Sequence, residues 1–452
     1  MGVLGIYGVK NAASLTYYGL HALQHRGQEG AGIVSFDDDG SAYRYHGLGL
    51  VSEVFDPDTL ASLKGSIAVG NVRYANITRG GMNNLEPLFF RHRSGDFAIT
   101  NDGNLVNSGQ IAAYLENKGS LFQTSTDSEL LAYLIKKDTS HPRIDEIKSA
   151  LNMMEGGFSF VIATRNRIYA ARDKYGLKPL ALGRIGNGWV VSSETCAFEL
   201  IGAEFVRDVE PGEVVTLDEH GIRSCLYSQF QRHKMCAMEF IYFARPDSDI
   251  DGCNVHAYRK ESGRRLFREC PADADIVVGV PDSSLSAAQG YAEESGLPYE
   301  MGLVKSKYVG RTFIQPSQEM REMGVKMKLS AVRSIVKDKR IVLVDDSIVR
   351  GTTSLKIIKL LREAGAKEVH VRIASPRMTH PCFYGVDTST FEELLCSRRN
   401  TEEARQVIGA DSLGYLSPDS TIHSCPGRDD LCLACFTGEY PTSLYEHENH
   451  NN

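Results

Sequence analysis

Apolar and polar positions change their rhythm once along the chain, near residue 230. Before it, short apolar runs alternate with breaks rich in Gly and Asn: Gly32-Ile33-Val34-Ser35-Phe36, Ser66-Ile67-Ala68-Val69-Gly70, Phe97-Ala98-Ile99-Thr100, Phe160-Val161-Ile162-Ala163 and Glu213-Val214-Val215-Thr216-Leu217. Runs of this length between turn formers predict strands. A helix is expected over Ser128 to Lys137, where Leu130, Leu131 and Leu134 fall at helical spacing. The pattern is α+β with mostly antiparallel sheet. After residue 230 the runs are denser and more β-branched, each followed by a helical pattern: Ile276-Val277-Val278-Gly279-Val280, Arg340-Ile341-Val342-Leu343-Val344 and Val369-His370-Val371-Arg372-Ile373. Buried parallel strands alternating with helices make an α/β domain. Two domains are expected, 1–230 and 231–452, with a polar, frayed tail from Glu446 to Asn452.

The length of 452 residues is too great for one ordinary core and agrees with that division. Hydrophobic and charged shares of 42% and 24% are those of a soluble globular chain. No apolar run approaches the ~18–20 residues that cross a bilayer, and the start carries no basic n-region of a signal peptide. A net charge of −7 argues against a nucleic-acid binder. Ten cysteines without a secretory signal imply reduced thiols, some of them metal ligands. A cytoplasmic location is expected.

The sharpest chemical signal is Val342-Leu343-Val344-Asp345-Asp346-Ser347-Ile348-Val349-Arg350-Gly351-Thr352-Thr353-Ser354, leading into a helix over Leu355 to Ala364. An apolar strand delivers two carboxylates to the carboxyl edge of a sheet, where α/β folds bind ligands. Backbone N–H groups past Gly351, with the hydroxyls of Thr352 and Thr353, form an anion cradle. Acids beside such a cradle suit a sugar phosphate, the carboxylates taking ribose hydroxyls or Mg²⁺ and the loop taking phosphate. A solvated acidic turn is the bland alternative, but paired Asp after a buried strand is costly without a partner.

This stretch resembles the phosphoribosyl-pyrophosphate (PRPP) loop of type I phosphoribosyltransferases. Gly279-Val280-Pro281-Asp282-Ser283-Ser284 is similar to the family's pyrophosphate loop. The resemblance implies Mg²⁺ contacts from Ser283, Asp345 and Asp346, and PRPP contacts from Asp282, Ser284, Ser347, Arg350, Gly351, Thr352 and Thr353 besides. The segment from Lys305 to Leu329 resembles the lid that closes over PRPP, with Lys305, Arg311, Lys326 and Lys328 as its cations. Glu239-Phe240-Ile241-Tyr242-Phe243-Ala244-Arg245-Pro246-Asp247-Ser248 resembles a segment specific to the glutamine-PRPP amidotransferases. The implied reaction is the first committed step of purine synthesis, with purine nucleotides as inhibitors and a homotetrameric assembly.

Four cysteines extend the likeness. A Cys432-Leu433-Ala434-Cys435 pair with distant Cys236 and Cys382 is a soft-ligand set that suits Zn²⁺ or iron–sulfur equally by spacing. The resemblance to one branch of the family implies a structural [4Fe-4S] cluster on these four, with Cys425 as an alternative ligand. The other five cysteines read as small apolar residues.

His21-Ala22-Leu23-Gln24-His25-Arg26-Gly27-Gln28-Glu29-Gly30-Ala31-Gly32 resembles the N-terminal-nucleophile (Ntn) glutaminase domain of the same family. There an N-terminal Cys attacks glutamine with its own amine as base. This chain reads Met1-Gly2-Val3-Leu4-Gly5-Ile6, and its first cysteine is Cys196. The family's His-Asn-Gly-Asn becomes Asn101-Asp102-Gly103-Asn104, and its His-Val-Arg-Tyr-x-Thr becomes Asn71-Val72-Arg73-Tyr74-Ala75-Asn76. An ionised Asp102 is expected to repel an oxyanion that Asn would hold. Arg73 and Asp127, which would grip the glutamine carboxylate and amine, are kept along with Gly103. The expectation is a glutaminase pocket kept as architecture, with ammonia or a partner glutaminase as nitrogen source. Two other readings stand beside this enzyme: a reduced paralogue that binds PRPP or purine nucleotides as a regulatory subunit, and a structural metalloprotein.

Overall fold

The computed structural model describes residues 1–74, 81–92, 95–135, 143–229, 232–306, 329–386, 388, 390–445 and 447. Its first half stacks two antiparallel sheets. Among the described residues one has seven strands, in the order Glu204–Asp208, Ala181–Ile185, Gly188–Ser192, Gly2–Tyr7, Ile67–Arg73, Gly30–Phe36, Ala42–Leu48. The other has six, in the order Gly221–Leu226, Glu213–Asp218, Arg167–Arg172, Gly156–Thr164, Phe97–Leu105, Leu88–Phe90. Val3, Val34 and Val69 of the first meet Ala98, Val161, Ala170 and Val215 of the second in one core between the sheets. The outer face of the first is covered by the helix Ala12–Ala22, with Phe198 and Ile201 of a second helix. The outer face of the second is covered by helices Ser108–Glu116, Asp127–Ile135 and Arg143–Asn152. The layers therefore run helix, sheet, sheet, helix. A strand covered on both sides gains from apolar residues at every position, so Gly30–Phe36 and Ile67–Arg73 are buried throughout and read as runs rather than alternations.

Two boundaries differ from expectation in ways that bear on the site. The strand begun by Phe97 does not stop at Thr100 but continues to Leu105, paired residue for residue with Gly156–Thr164. The Asn101-Asp102-Gly103 motif is thus inside a strand. The helix expected from Ser128 starts at Asp127, placing that carboxylate in its first turn.

The second half holds a four-stranded parallel sheet, ordered Ile276–Gly279, Arg340–Asp345, Glu368–Ile373, Ser412–Tyr415 among the described residues. Helices Val255–Glu269 and Leu285–Ser295 cover one face and Thr352–Glu363 and Thr401–Ile408 the other. The first two cross at very short range. A Cβ on Gly263 would sit 1.9 Å from the Ala287 carbonyl oxygen, and one on Gly290 1.8 Å from that of Lys260. Only glycine permits this approach, and it fixes the second helix, whose N-terminus carries Ser283 and Ser284, against the first. The lid-like segment is flanked by a short antiparallel pair, Leu303–Lys305 with Leu329–Ala331. No helix among the described residues is long and apolar enough to cross a membrane.

Candidate active sites

Adjacent parallel strands build the first site. Arg340–Asp345 ends on the two acids, and its neighbour Ile276–Gly279 ends on the loop that carries Ser283 and Ser284. Ser284 Oγ donates to Asp345 Oδ1 at 2.9 Å, and Ser283 Oγ donates to Asp346 Oδ2. Ser347 Oγ donates to the other oxygen of Asp346 at 2.7 Å. Both acids are buried, and among the described residues neither forms an ion pair. Burial pushes both carboxyls above their ordinary range, and for Asp345 the neighbouring charge of Asp346 adds to the push. Two buried carboxylates with no cation in contact, and only the more distant charge of Arg259 acting on Asp346, make a site that a cation or a set of sugar hydroxyls would complete.

Beyond them Gly351, at φ +75°, turns the chain into the helix Thr352–Glu363, which begins at Thr352 and not at Leu355 as the sequence suggests. Thr352 and Thr353 stand exposed in its first turn, beside free backbone N–H groups. Arg350 is turned aside to Glu393 at 2.7 Å, and Lys305 to Asp282 at 2.6 Å. Both pairs are exposed, so either cation is released at little cost. Arg311, Lys326 and Lys328 lie outside the described residues.

A second site lies where the halves meet. A cavity of about 420 Å³ is lined by Met1, Arg73, Asn101, Gly103, Asn104 and Asp127 from the first half and Cys382, Phe383 and Phe391 from the second. Arg73 and Asp127 are both buried there, and Asp127 Oδ2 accepts the Leu105 N–H at 2.9 Å. Asn71 donates from Nδ2 to Thr100 Oγ1 at 2.7 Å. Asn76 lies outside the described residues.

Asp102 corrects an expectation. Neighbours along a strand point to opposite faces, so Asn101 and Gly103 line the cavity and the Asp102 side chain turns away. It is not among the residues that line the cavity, and it is engaged instead by the charges beside Met1. Its Oδ2 accepts from Arg26 at 2.8 Å, and its Oδ1 lies 3.4 Å from the Met1 amino group and 3.9 Å from Lys178 Nζ. Arg26 also donates to Glu194 at 2.7 Å and, through two nitrogens, to Glu239 at 2.8 Å each. Lys178 reaches Glu239 at 3.4 Å. Burial alone would raise Asp102, but the Met1 amino group, Arg26 and Lys178 together hold it well below the ordinary range. Glu194 is likewise held down by His25 and Arg26 against burial. The Met1 amine is pushed down by burial more strongly than Asp102 lifts it. Arg26, Lys178, Glu194 and Glu239 escape a reading by motif, since the acids lie 168 and 213 positions from Arg26. Arg26 lies within His25-Arg26-Gly27 and Glu239 opens the segment Glu239 to Ser248, but neither motif points to the other as a partner.

The four cysteines converge as well. Cys236 and Cys432 lie on adjacent extended segments, with the Cys432 N–H donating to the Met235 oxygen at 2.8 Å. Cys435 feels the charge of Cys382, Cys236 and Cys432, and the Tyr384 N–H donates to Cys382 Sγ at 3.4 Å. Burial pushes all four thiols up, Cys432 to about 12. Among the described residues no three His, Cys, Asp or Glu side chains are drawn as close as one metal ion requires. Cys425 shares an apolar cluster with Cys435, Cys236 and Cys382, but its thiol partner is Cys253.

Comparison with known proteins agrees with this geometry. A glutamine amidotransferase domain family matches residues 77–199, and a phosphoribosyl transferase domain family matches 260–378. The amidophosphoribosyltransferase of Bacillus subtilis (strain 168) is 53% identical over 98% of this chain and 94% of its own length. That of Staphylococcus aureus (strain Mu50 / ATCC 700699) is 49% identical over 99% of this chain and 92% of its own. The solved glutamine PRPP amidotransferase from B. subtilis complexed with ADP and GMP superimposes with a TM-score of 0.94 at 53% identity, covering 99% of this chain and 98% of that one. A second solved structure, described as the allosteric regulatory enzyme of purine biosynthesis, gives a TM-score of 0.95 at 53% identity over 99% of this chain and 97% of its own. With an Ntn-type glutamine amidotransferase fold joined to a phosphoribosyltransferase sheet, and relatives matched from end to end, the chain belongs to the amidophosphoribosyltransferase family, phosphoribosyltransferases of purine biosynthesis.

Proposed function

We propose that the second half, from about residue 231, transfers ammonia to C1 of PRPP, giving 5-phosphoribosylamine and pyrophosphate. The observation that carries this reading is the buried Asp345–Asp346 pair, tied to Ser283 and Ser284, with no cation in ion-pair contact among the described residues and only the more distant charge of Arg259 acting on Asp346. The helix N-terminus at Thr352 and Thr353 receives the 5-phosphate, and the two acids orient the ribose hydroxyls. Ser283, Asp345 and Asp346 would hold Mg²⁺, which when bound supplies positive charge for the pyrophosphate. Lys305 moves from Asp282 to that leaving group, joined by Arg311, Lys326 and Lys328. As nitrogen bonds to C1, the C1–O bond breaks, its electron pair leaves with pyrophosphate, and the ammonium sheds a proton to solvent. The acid pair steadies the cationic character of C1 in between.

Glutamine is a poor nitrogen source in this reading. Met1, not a cysteine, lines the cavity beside Asn101 and Gly103, and Cys196 is buried with its thiol pushed up by that burial. Among the described residues lining the cavity the one thiol is Cys382, which we assign to the cluster set. Arg73, Gly103 and Asp127 remain as a pocket for the amino-acid end of glutamine, served by free ammonia or a partner glutaminase. Cys236, Cys382, Cys432 and Cys435 suit a structural [4Fe-4S] cluster better than Zn²⁺. What supports a shared site is that Cys435 is influenced by the other three thiols, and the choice of cluster over zinc rests on the family resemblance. Purine nucleotides are the inhibitors we expect, since the B. subtilis relative was solved with ADP and GMP. Exposed Leu48, Leu200 and Phe205 offer apolar surface for assembly into a homotetramer in the cytoplasm.

The deciding assay is PRPP-dependent pyrophosphate release, run in parallel with glutamine and with ammonium at raised pH. Release with ammonium and little with glutamine is expected. Equal rates with glutamine overturn the donor assignment, and no release with either overturns the enzyme in favour of a PRPP-binding regulatory subunit. For the cluster, anaerobically purified protein should carry iron and sulfide, and Cys432→Ser should lose both; stoichiometric zinc without sulfide would reassign the site.

A further inference from the structure

The buried charges around Arg26 do not stop at the glutaminase pocket. Glu239, which takes two of the Arg26 nitrogens and Lys178, belongs to the second half and opens a single π-helical turn, Glu239–Phe243. That turn is closed by the Ala244 N–H donating to the Glu239 oxygen at 2.9 Å. Such turns are strained insertions that recur at functional places. Two of its carbonyls then hold one side chain: Arg259 donates from Nε to Phe240 O at 2.7 Å and from a terminal nitrogen to Ala244 O at 2.8 Å. Arg259 is only 4% exposed, so the carbonyls take the place of water. It lies on the helix Val255–Glu269, which meets the helix Leu285–Ser295 through Gly263 and Gly290 and through His256 Nδ1 and Ser286 Oγ at 2.9 Å. Ser284, the residue before the second helix, holds Asp345.

We propose that Glu239 is a positioning residue for the phosphoribosyl site: anchored by Arg26 and Lys178 of the first half, it sets the π-turn, which through Arg259 seats the helix pair that aims the Ser283–Ser284 loop at the two acids. Asp102 belongs to this strut. With Asp102 and Glu239 together on one guanidinium edge, Arg26 has no freedom to swing toward the cavity. The family's oxyanion position has here become part of the frame for the other reaction. Apart from the 3.4 Å Lys178–Glu239 contact the bonds on the route are short, and most of its members are buried, so a change at Glu239 cannot be absorbed by solvent.

This rests on the proposed PRPP reaction, and the experiment keeps the two apart. Kinetics with saturating ammonium are compared for the wild type, Glu239→Gln, Arg26→Gln, the double variant, and Arg259→Lys, which keeps the charge but cannot span both carbonyls. The expected result is a rise in the KM for PRPP of about 5–10-fold in each single variant, kcat holding within about twofold, and a double variant no worse than its worse parent. A lowered Tm with unchanged KM would make Glu239 a structural strut only and overturn the proposal, as would multiplying KM effects in the double variant. If Glu239→Gln does not fold, Arg259→Lys decides alone, and an unchanged KM there overturns it. A wild type that binds PRPP without turnover sinks the enzyme reading instead; the same variants are then ranked by Kd, with the same shifts expected.

Discussion

Two clusters of buried carboxylates, built in the two halves of one chain, have been settled in opposite ways. Around Arg26, the acids Asp102, Glu194 and Glu239 have cations in contact, and for Asp102 and Glu194 the result is a carboxyl held below its ordinary range despite complete burial. At the end of the strand Arg340–Asp345, Asp345 and Asp346 are in contact with serine hydroxyls and a backbone N–H, Arg259 acts on Asp346 only from beyond ion-pair contact, and burial pushes both up. A cluster that neutralises itself has nothing left for a ligand, so it is architecture. A cluster left short of positive charge costs stability unless something brings that charge, so it is a binding site. The difference separates a cluster that neutralises itself from one left short of positive charge, without appeal to motif.

The largest effects should come from the unsatisfied pair. Asp345→Ala and Asp346→Ala are each expected to lower ammonia-dependent turnover of PRPP by about 10²–10⁴-fold, since each removes a group that touches ribose or its Mg²⁺. Circular dichroism should show the fold intact, because no ion pair among the described residues is broken. Turnover within tenfold of wild type in both variants would dissolve the distinction drawn above. The satisfied cluster should respond the other way. Arg26→Met leaves three carboxylates facing one another and is expected to cost about 3–5 kcal/mol of stability, read from urea unfolding. A loss below about 1 kcal/mol would mean that the network is not coupled as its distances imply.

What could be read from the sequence follows the same divide. The phosphoribosyl loops are contiguous: Asp345, Asp346 and the Gly351-Thr352-Thr353 turn sit within nine residues, and a buried parallel strand announces itself as Arg340-Ile341-Val342-Leu343-Val344. The Arg26 cluster is assembled from five segments, at Arg26, Asp102, Lys178, Glu194 and Glu239, spread over more than two hundred positions, and no local period marks a charge that will be buried against a distant partner. The direction of the Asp102 side chain is hidden for a narrower reason. The apolar run predicts a strand only to Thr100, and with the strand carried to Leu105 the period of two turns Asp102 away from Asn101 and Gly103. The extension hides because Asn, Asp and Gly are poor strand formers, tolerated here by full pairing with Gly156–Thr164. The Cys425–Cys253 contact was invisible for want of any spacing rule between them.

A third and smaller effect isolates Asp102. Asp102→Asn keeps the shape but withdraws the charge from Arg26 and Lys178, and is expected to cost about 1–3 kcal/mol. It should leave glutamine hydrolysis as it was, since the side chain at 102 does not reach the cavity. A gain of glutaminase activity from this substitution alone would restore the view of Asp102 as a spoiled oxyanion donor.

The smallest expected effect is also the most direct contrast between the clusters, because it reads the two opposite shifts in one titration. Asp102 is depressed in the folded chain, so its contribution is present above the ordinary carboxyl value of ~3.9 and is lost as pH falls through the lower folded value. The stability gap between wild type and Asp102→Asn should therefore stay constant from pH 7 to about 5 and close only in stronger acid. Asp345 and Asp346 are raised, so the folded chain binds protons more tightly than the unfolded one. Their contribution is favourable at low pH and is lost as pH rises from about 4 toward neutrality. The variant carrying Asp345→Asn and Asp346→Asn together should then be more stable than wild type at pH 7 by about 1–2 kcal/mol without added metal, with the gap shrinking as the pH is lowered toward 4. Adding Mg²⁺ at pH 7 should raise the Tm of wild type and leave that variant unmoved. If both gaps ran in the same direction with pH, the two carboxylate clusters would share one electrostatic character, and burial without counter-charge would not mark the phosphoribosyl site.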